Sequence, residues 1–77
     1  MATKYRNLGG DSSVEAYEIG PDFIWIYFPD SKYQYTNART GRQHVEEMKR
    51  LAKSGRGLNT YIRKNVYSAY ARILPRT

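Results

Sequence analysis

Residues 54–59, Ser-Gly-Arg-Gly-Leu-Asn, form the corner around which we expect the fold to be organised. An apolar stripe at helical spacing precedes it, with Val45, Met48, Leu51 and Ala52. A second stripe follows it, with Leu58, Tyr61, Ile62, Val66, Ala69 and Ile73. The two glycines allow the chain to reverse with positive φ at little steric cost. The pattern predicts two helices, from about residue 41 to 54 and from about residue 58 to 72.

Local signals set the predicted ends of these helices. Thr40-Gly41-Arg42-Gln43 has the form of a capping box, in which a threonine hydroxyl and a glutamine three residues later satisfy free amides. Gly55 suits the left-handed position that ends a helix, and Pro75 prevents any continuation of the second helix. Glu46 and Arg50 have the spacing of an ion pair on the exposed face of the first helix.

The strongest strand signal is the run Phe23-Ile24-Trp25-Ile26-Tyr27-Phe28, in which every residue is β-branched or aromatic. Because side chains alternate along a strand, the aliphatic set, with Ile24 and Ile26, predicts the core face. The aromatic set, with Trp25 and Tyr27, is then partly exposed or covered by a partner. Shorter strands are predicted at residues 12–19 and 32–36.

Tyr33 and Tyr35 share one face of the strand at residues 32–36, and the hairpin loop decides which face that is. A loop of two or four residues places both tyrosines on the core side, whereas a three-residue loop places them beside Trp25. We favour the core side.

The predicted fold is α+β: a three-stranded antiparallel β-meander packed against two C-terminal helices, in the order βββαα. The chain of 77 residues has room for one domain. Its residues 1–11 are predicted to be a flexible lead-in, residues 12–36 the strands and residues 41–72 the two helices.

The composition narrows the environment of the protein. The chain has no cysteine, so neither a disulfide nor a thiolate metal site is available, which fits a reducing compartment. No apolar run approaches the roughly 18 residues of a membrane span, and the N-terminal residues lack the apolar segment of a signal peptide. We therefore predict a cytoplasmic protein without membrane contact. Dimerisation would add stability to so small a core.

The charge is distributed unevenly along the chain. Residues 1–31 carry two Lys and Arg against five Asp and Glu, a net charge of −3. Residues 32–77 carry eleven Lys and Arg against two Glu, a net charge of +9. A basic half indicates an anionic partner, nucleic acid before membrane; the alternative is a solvated helix surface that serves only solubility.

The sequence offers no catalytic or metal-binding constellation. His44 is the only histidine, and a surface position without a catalytic partner is its expected role. The carboxylates of the first 31 residues are scattered among strands and turns without metal-ligand spacing; they are Asp11, Glu15, Glu18, Asp22 and Asp30. We predict a protein that is not an enzyme and that uses no metal or cofactor.

The basic residues near the corner are the candidate nucleic-acid contacts: Lys49, Lys53, Arg56, Arg63 and Lys64. With Trp25 and Tyr27 as rings for the bases, they would form a site for single-stranded or looped RNA. The alternative role of Trp25 is packing within a small two-layer fold. The Gly-Arg-Gly corner is also a candidate anion site, although we favour the simpler interpretation that the glycines only permit the turn.

The order of several short motifs resembles the KTSC domain, a family found at the C-terminus of some lysyl-tRNA synthetases and as short bacterial and phage proteins. The matching pieces lie between about Ser12 and Tyr67: Ser12-Ser13-Val14, Ile24-x-Ile26-x-Phe28, Tyr33-x-Tyr35 and Gly55-Arg56-Gly57-Leu58-Asn59-Thr60-Tyr61-Ile62. Gly57-Leu58 stands where the family has an aromatic pair. Attachment to a synthetase implies an association with RNA.

The leading functional hypothesis is therefore a non-enzymatic nucleic-acid-binding module that prefers RNA and uses its basic helical surface. The alternative is a protein-interaction or assembly module, dimeric or phage-related, that uses the aromatic strand face and a sheet edge. A third idea, a helix-turn-helix DNA reader, requires the two helices to cross at about 90–120°.

Overall fold

A five-stranded antiparallel sheet with helices on one face forms the body of the protein, as seen in a computed structural model that describes residues 2–10 and 12–76. The strands follow chain order across the sheet. They are β1 (Thr3–Lys4), β2 (Ala16–Ile19), β3 (Phe23–Tyr27), β4 (Ser31–Thr36) and β5 (Arg72–Pro75). The α+β class is as predicted, but the three-stranded meander with two C-terminal helices is wrong.

The helical elements all lie between β4 and β5. They are α1 (Asn37–Thr40), α2 (Arg42–Ser54), α3 (Leu58–Tyr61) and a π-helical segment (Ile62–Val66) that continues α3. None of the helices among the described residues has the length and apolar character that crossing a lipid bilayer requires.

Strand β5 replaces the predicted end of the second helix. The helical stripe continues in sequence through Ala69 and Ile73, yet the helix stops after Val66 and the chain returns to the sheet. β5 pairs with β4 in the register Tyr33↔Ile73, which satisfies backbone groups of β4 that would otherwise form an open edge. Pro75 lies at the end of this edge strand, where the missing amide costs no ladder hydrogen bond.

The N-terminal residues also differ from the prediction, because residues 3–8 do not form a loose lead-in. β1 pairs with β2, and Tyr5 is buried in the core with 3% of its surface exposed. The Leu8 amide donates to the Gly55 carbonyl at 2.7 Å, so this segment packs on the corner. Met1, Asp11 and Thr77 lie outside the described residues.

The two faces of the sheet differ in what covers them. Cross-strand register places Ile24 beside Tyr35 and Ile26 beside Tyr33, on the face that we call the inner face because the helices pack against it. The opposite, outer face carries Ala16, Glu18, Trp25, Tyr27, Lys32, Gln34, Arg72 and Leu74. Strand alternation therefore assigned the aliphatic side of β3 to the core correctly.

The core joins the inner face to the helices. Its buried apolar members are Tyr5, Val14, Ile24, Ile26, Tyr35, Val45, Met48, Ala52, Leu58, Ile62 and Val66. Ile26 is completely buried and Ile62 is 4% exposed, which confirms the predicted contact between the central strand and the second helix. Phe28 packs against this cluster and is partly buried.

The β3–β4 hairpin places both tyrosines of β4 on the core side. Tyr27 pairs with Lys32, and the Phe28 amide donates to the Ser31 carbonyl at 2.8 Å, which leaves Pro29 and Asp30 as a two-residue loop. The two-residue alternative is therefore the correct one. Tyr35 is 1% exposed as a result.

The capping predictions are partly wrong. Thr36, not Thr40, is an N-cap: its side chain accepts from the Arg39 amide in α1. Thr40 instead ends α1, and its buried hydroxyl donates to the Ala69 carbonyl at 2.6 Å, which ties α1 to the chain before β5. Helix α2 follows Gly41 without a side-chain cap.

Glycine at the end of α2 has the predicted role. Gly55 has φ of 82° and its amide donates to the Leu51 carbonyl, as expected for a left-handed C-cap. The site is also crowded, because an added Cβ would lie 2.9 Å from Cβ of Arg6. The corner therefore needs glycine for both backbone conformation and the close approach of the N-terminal segment.

Candidate functional site

Four of the five predicted helical cations face solvent. Lys53 lies in the last turn of α2, Arg56 in the corner, and Arg63 and Lys64 in the π-helical segment, and all four are exposed. The fifth, Lys49, is already engaged within the fold. Its side chain is 11% exposed and forms an ion pair with Glu46 at 3.1 Å, so it is a poor candidate for a phosphate contact.

The structure separates Trp25 and Tyr27 from these cations. Both rings belong to the outer face of the sheet, whereas the cations belong to the helical layer that covers the inner face. The combined site expected from the sequence, with these two rings beside the helical cations, is therefore not formed.

The outer-face rings have cations of their own. Nζ of Lys32 lies 4.9 Å from the Trp25 ring centroid and 5.4 Å from that of Tyr27. The Arg76 guanidinium carbon lies 5.5 Å from the Tyr27 ring and its Nη1 donates to a Glu15 carboxylate oxygen at 2.6 Å. These distances are those of cation–π contacts.

Tyr27 is further held by its hydroxyl group. The hydroxyl donates to the Glu18 carboxylate at 3.2 Å. Burial, and then this hydrogen bond, raises the pKa of Tyr27 above its ordinary value. The outer face is thus a surface of internally paired rings and charges.

A cleft of about 500 Å³ lies on the inner face of the sheet, beside the β3–β4 hairpin and the chain that follows the π-helical segment. We call it the tyrosine cleft. Its lining consists of Ser13, Phe28, Pro29, Asp30, Ser31, Tyr33, Tyr35, Asn59, Ile62, Arg63, Tyr67, Ser68 and Tyr70. Five aromatic rings and one arginine in one concavity make it the strongest candidate site among the described residues.

Tyr33 is the centre of the ring cluster. Its centroid lies 5.3 Å from Phe28 and 5.1 Å from Tyr70, both in edge-to-face geometry, and 6.5 Å from the nearly parallel ring of Tyr35. Burial raises the pKa of Tyr35 well above its usual range. These rings form a rigid apolar wall.

Tyr67 is the exposed ring of the cleft. It follows the π-helical segment directly and 72% of its surface is exposed. Unlike Tyr33, it forms no ring–ring contact within the described part of the chain. An exposed aromatic side chain at an aromatic cleft is well placed to contact a ligand.

Arg63 and Asn59 join the tyrosine cleft to a smaller, polar cavity. Both residues line the second cavity, of about 120 Å³, together with Tyr5, Asn7, Gly9, Ser12, Gly57 and Thr60. Within residues 2–10 and 12–76, neither side chain forms a hydrogen bond to another residue. Arg63 is therefore the predicted cation that the structure places beside a concave site.

The π-helical segment positions Arg63. Its hydrogen bonds span five residues rather than four, and such turns are rare and frequent at functional sites. Ile62 and Val66 fix the segment in the core, which leaves Arg63 and Lys64 on its solvent side.

The corner itself is occupied by the protein's own groups. The Leu58 amide, a candidate anion ligand, donates to the Tyr5 hydroxyl at 3.3 Å. The Arg6 guanidinium donates to the Lys53 carbonyl at 2.6 Å. Gly55 therefore serves both the turn and the packing of the N-terminal segment, and the Leu58 amide already has a partner within the fold.

His44 is half-buried and has a partner that the sequence did not indicate. Its Nδ1 lies 2.7 Å from the Tyr61 hydroxyl. Burial, together with the nearby charge of Glu47, raises the pKa of Tyr61. Elsewhere on α2, Glu47 accepts from Arg50 at 3.0 Å, in place of the predicted pair between Glu46 and Arg50.

The described ranges contain no group of three or more His, Asp and Glu side chains that could hold a metal ion. Among the predicted carboxylates, Asp11 lies outside those ranges and Glu15 pairs with Arg76.

No protein-family model, curated protein or solved structure matches the chain.

Sequence reasoning missed the rings that line the cleft. Tyr33 and Tyr35 were assigned to the core face but not to a site, and Tyr67 and Tyr70 fell within the predicted second helix. The signal was the dense tyrosine content at positions 33, 35, 67 and 70, whose proximity depends on β5 pairing with β4.

Proposed function

We propose that this domain is a non-enzymatic nucleic-acid-binding module that prefers single-stranded RNA. The observation that carries the proposal is the position of Arg63, an exposed cation in the wall of an aromatic cleft. Arginine pairs with phosphate, and aromatic rings stack on unpaired bases; their combination is typical of surfaces that bind single strands.

The remaining exposed cations extend this surface. Lys64 neighbours Arg63 along the chain, and Lys53 and Arg56 lie on either side of Gly55. Each would contribute a phosphate contact of the kind that releases a counterion on binding. The resemblance to the KTSC domain supports an association with RNA.

The test is binding of a labelled single-stranded RNA across a salt series. For the double variant Arg56→Gln/Arg63→Gln we expect weaker binding, and a slope of log K against log salt that is flatter by about 0.7 per lost contact, or about 1.4 in all. Single-stranded DNA of the same sequence measures the preference for RNA.

A matched control exists on the outer face. Lys4→Gln/Arg72→Gln removes the same number of charges from exposed positions on the opposite side of the sheet, so it should leave the slope nearly unchanged. If both double variants flatten the slope of log K against log salt equally, the effect reflects net charge alone and not a particular surface. Absence of RNA binding at low salt would refute the proposal.

A second candidate function, protein interaction or assembly, is favoured by the sheet edge at β5. Ile73 lies on this edge strand with 42% of its surface exposed, and open strand edges pair readily with another chain. A protein that fails to bind RNA at low salt but sediments as a dimer would support this candidate instead.

A further inference from the structure

We propose that the tyrosine cleft binds one unpaired base of an RNA strand and that Arg63 holds the phosphate next to that base. This inference rests on the proposed function and adds to it the part of the RNA that is recognised.

The size and lining fit a flat aromatic ligand. A volume of about 500 Å³ lies within the range of about 300–1,000 Å³ of small-molecule sites. The edge-to-face contacts of Tyr33 with Phe28 and Tyr70 keep these rings in place without a ligand, so little ordering is required on binding. A base that enters the cleft meets five aromatic rings, with Pro29 and Ile62 as the aliphatic part of the lining.

Tyr67 supplies the stacking ring. Its ring is exposed and is not packed against another described ring, so it can stack on a base without losing an existing aromatic contact. Its place after the π-helical segment puts it near Arg63 in the chain, which is the arrangement that a base and its own phosphate require.

The charges orient the ligand. Arg63 and Asp30 are the charged residues in the lining of the cleft, and of these two only Arg63 also borders the polar second cavity. The phosphate is therefore expected at the Arg63 end, and the base toward Asp30, whose carboxylate can accept a hydrogen bond from an exocyclic amine. A purely apolar ligand is disfavoured by the hydroxyl groups of the lining.

The experiment compares an RNA oligonucleotide with the same oligonucleotide containing abasic positions. Stacking on one ring supports an affinity difference of about 5- to 150-fold per base. We expect the wild-type protein to prefer the intact RNA by this factor. Tyr67→Ala should remove most of the preference without changing the salt slope, and Tyr67→Phe should retain it. Circular dichroism confirms that the variants are folded.

The fluorescence of Trp25, the only tryptophan in the sequence, distinguishes RNA bound in the cleft from RNA bound on the outer face. Trp25 lies on the outer face beneath Lys32, so RNA in the cleft should leave its fluorescence unchanged. A 2-aminopurine base in the RNA should be quenched by the wild-type protein and not by Tyr67→Ala. Tyr27→Ala is the ring control on the outer face and should retain the preference for intact RNA.

Three results would overturn the cleft assignment while leaving RNA binding intact. They are equal binding of intact and abasic RNA, loss of the preference in Tyr27→Ala but not in Tyr67→Ala, and a change in Trp25 fluorescence with RNA. Tighter binding of a free nucleoside monophosphate than of the RNA would instead identify a free nucleotide as the occupant. Absence of all RNA binding at low salt would refute the proposed function as well.

Discussion

The two faces of the sheet carry the same kinds of side chain in different arrangements. On the outer face, the Lys32 ammonium lies 4.9 Å from the Trp25 ring and Arg76 lies 5.5 Å from the Tyr27 ring. On the inner face, Tyr33 packs against its neighbouring rings, whereas Tyr67 forms no ring–ring contact in the described part of the chain. Arg63 lines the same cleft and forms no cation–π contact with any described residue.

This difference determines which face is available to a ligand. A base that stacks on Trp25 must first displace Lys32, which costs the contact between ring and cation. A base that stacks on Tyr67 displaces nothing that the structure shows. Aromatic and basic residues alone therefore do not identify a binding surface; whether the rings are already paired does.

The largest expected effect tests the assignment of the faces. Ile26 is completely buried at the centre of the inner face, so Ile26→Ala should lower the free energy of unfolding by about 2–5 kcal/mol. Urea denaturation followed by circular dichroism measures it.

The matched control for Ile26 is the same substitution at an exposed site. Ile73 is 42% exposed on the edge strand, and Ile73→Ala should cost less than about 1 kcal/mol because little cavity forms. Ile73 lies on the same face as Ile26 but at the edge of the sheet, so similar costs at both positions would mean that the centre of the inner face is packed no more tightly than its edge.

The core assignment shows how far the sequence determines the fold. The run of β-branched and aromatic residues in β3, the helical stripe of α2 and Gly55 are strong local signals, and each led to the correct element. The favoured core side of Tyr33 and Tyr35 is also correct, although the sequence left the choice between a two-residue and a four-residue loop open.

The missing parts depend on tertiary pairing. β1 has two residues and β5 has four, and neither shows a pattern that distinguishes it from its surroundings. Ile73 even continues the helical stripe, but hydrogen bonding to the edge of β4 decides its structure. The tyrosine cleft was unpredictable for the same reason, since Tyr70 reaches Tyr33 only when the chain returns to β4.

The next largest effect is a pH dependence of the free energy of unfolding that differs between the two faces of the sheet. Burial raises the pKa of Tyr35 far above its ordinary value of 10.0, whereas Tyr27 on the outer face has a smaller upward shift. Above pH 10 the unfolded chain releases these protons while the folded protein retains them. The stabilisation is therefore complete below pH 10 and is lost as pH rises further.

The measurement is the free energy of unfolding as pH rises above 10 for two variants. Tyr35→Phe should remove more of the loss of stability above pH 10 than Tyr27→Phe does, because the pKa of the buried tyrosine is raised further. An equal effect of the two substitutions would mean that the inner-face hydroxyl is no better shielded from water than the outer one.

The smallest expected effect concerns the ring–cation pairing of the outer face. Lys32→Met keeps most of the side chain but removes the charge above Trp25 and Tyr27, and should lower the free energy of unfolding by about 0.5–1 kcal/mol. A double-mutant cycle with Trp25→Leu isolates the pair, because the coupling should vanish when the ring is absent. If the coupling is zero, the outer rings are as available as Tyr67, and the structural reason for preferring the cleft is lost. If the Lys32→Met protein instead binds RNA more tightly, and Tyr67→Ala still removes the same part of the preference for intact over abasic RNA, then the Lys32 ammonium is the group that keeps bases off the outer face.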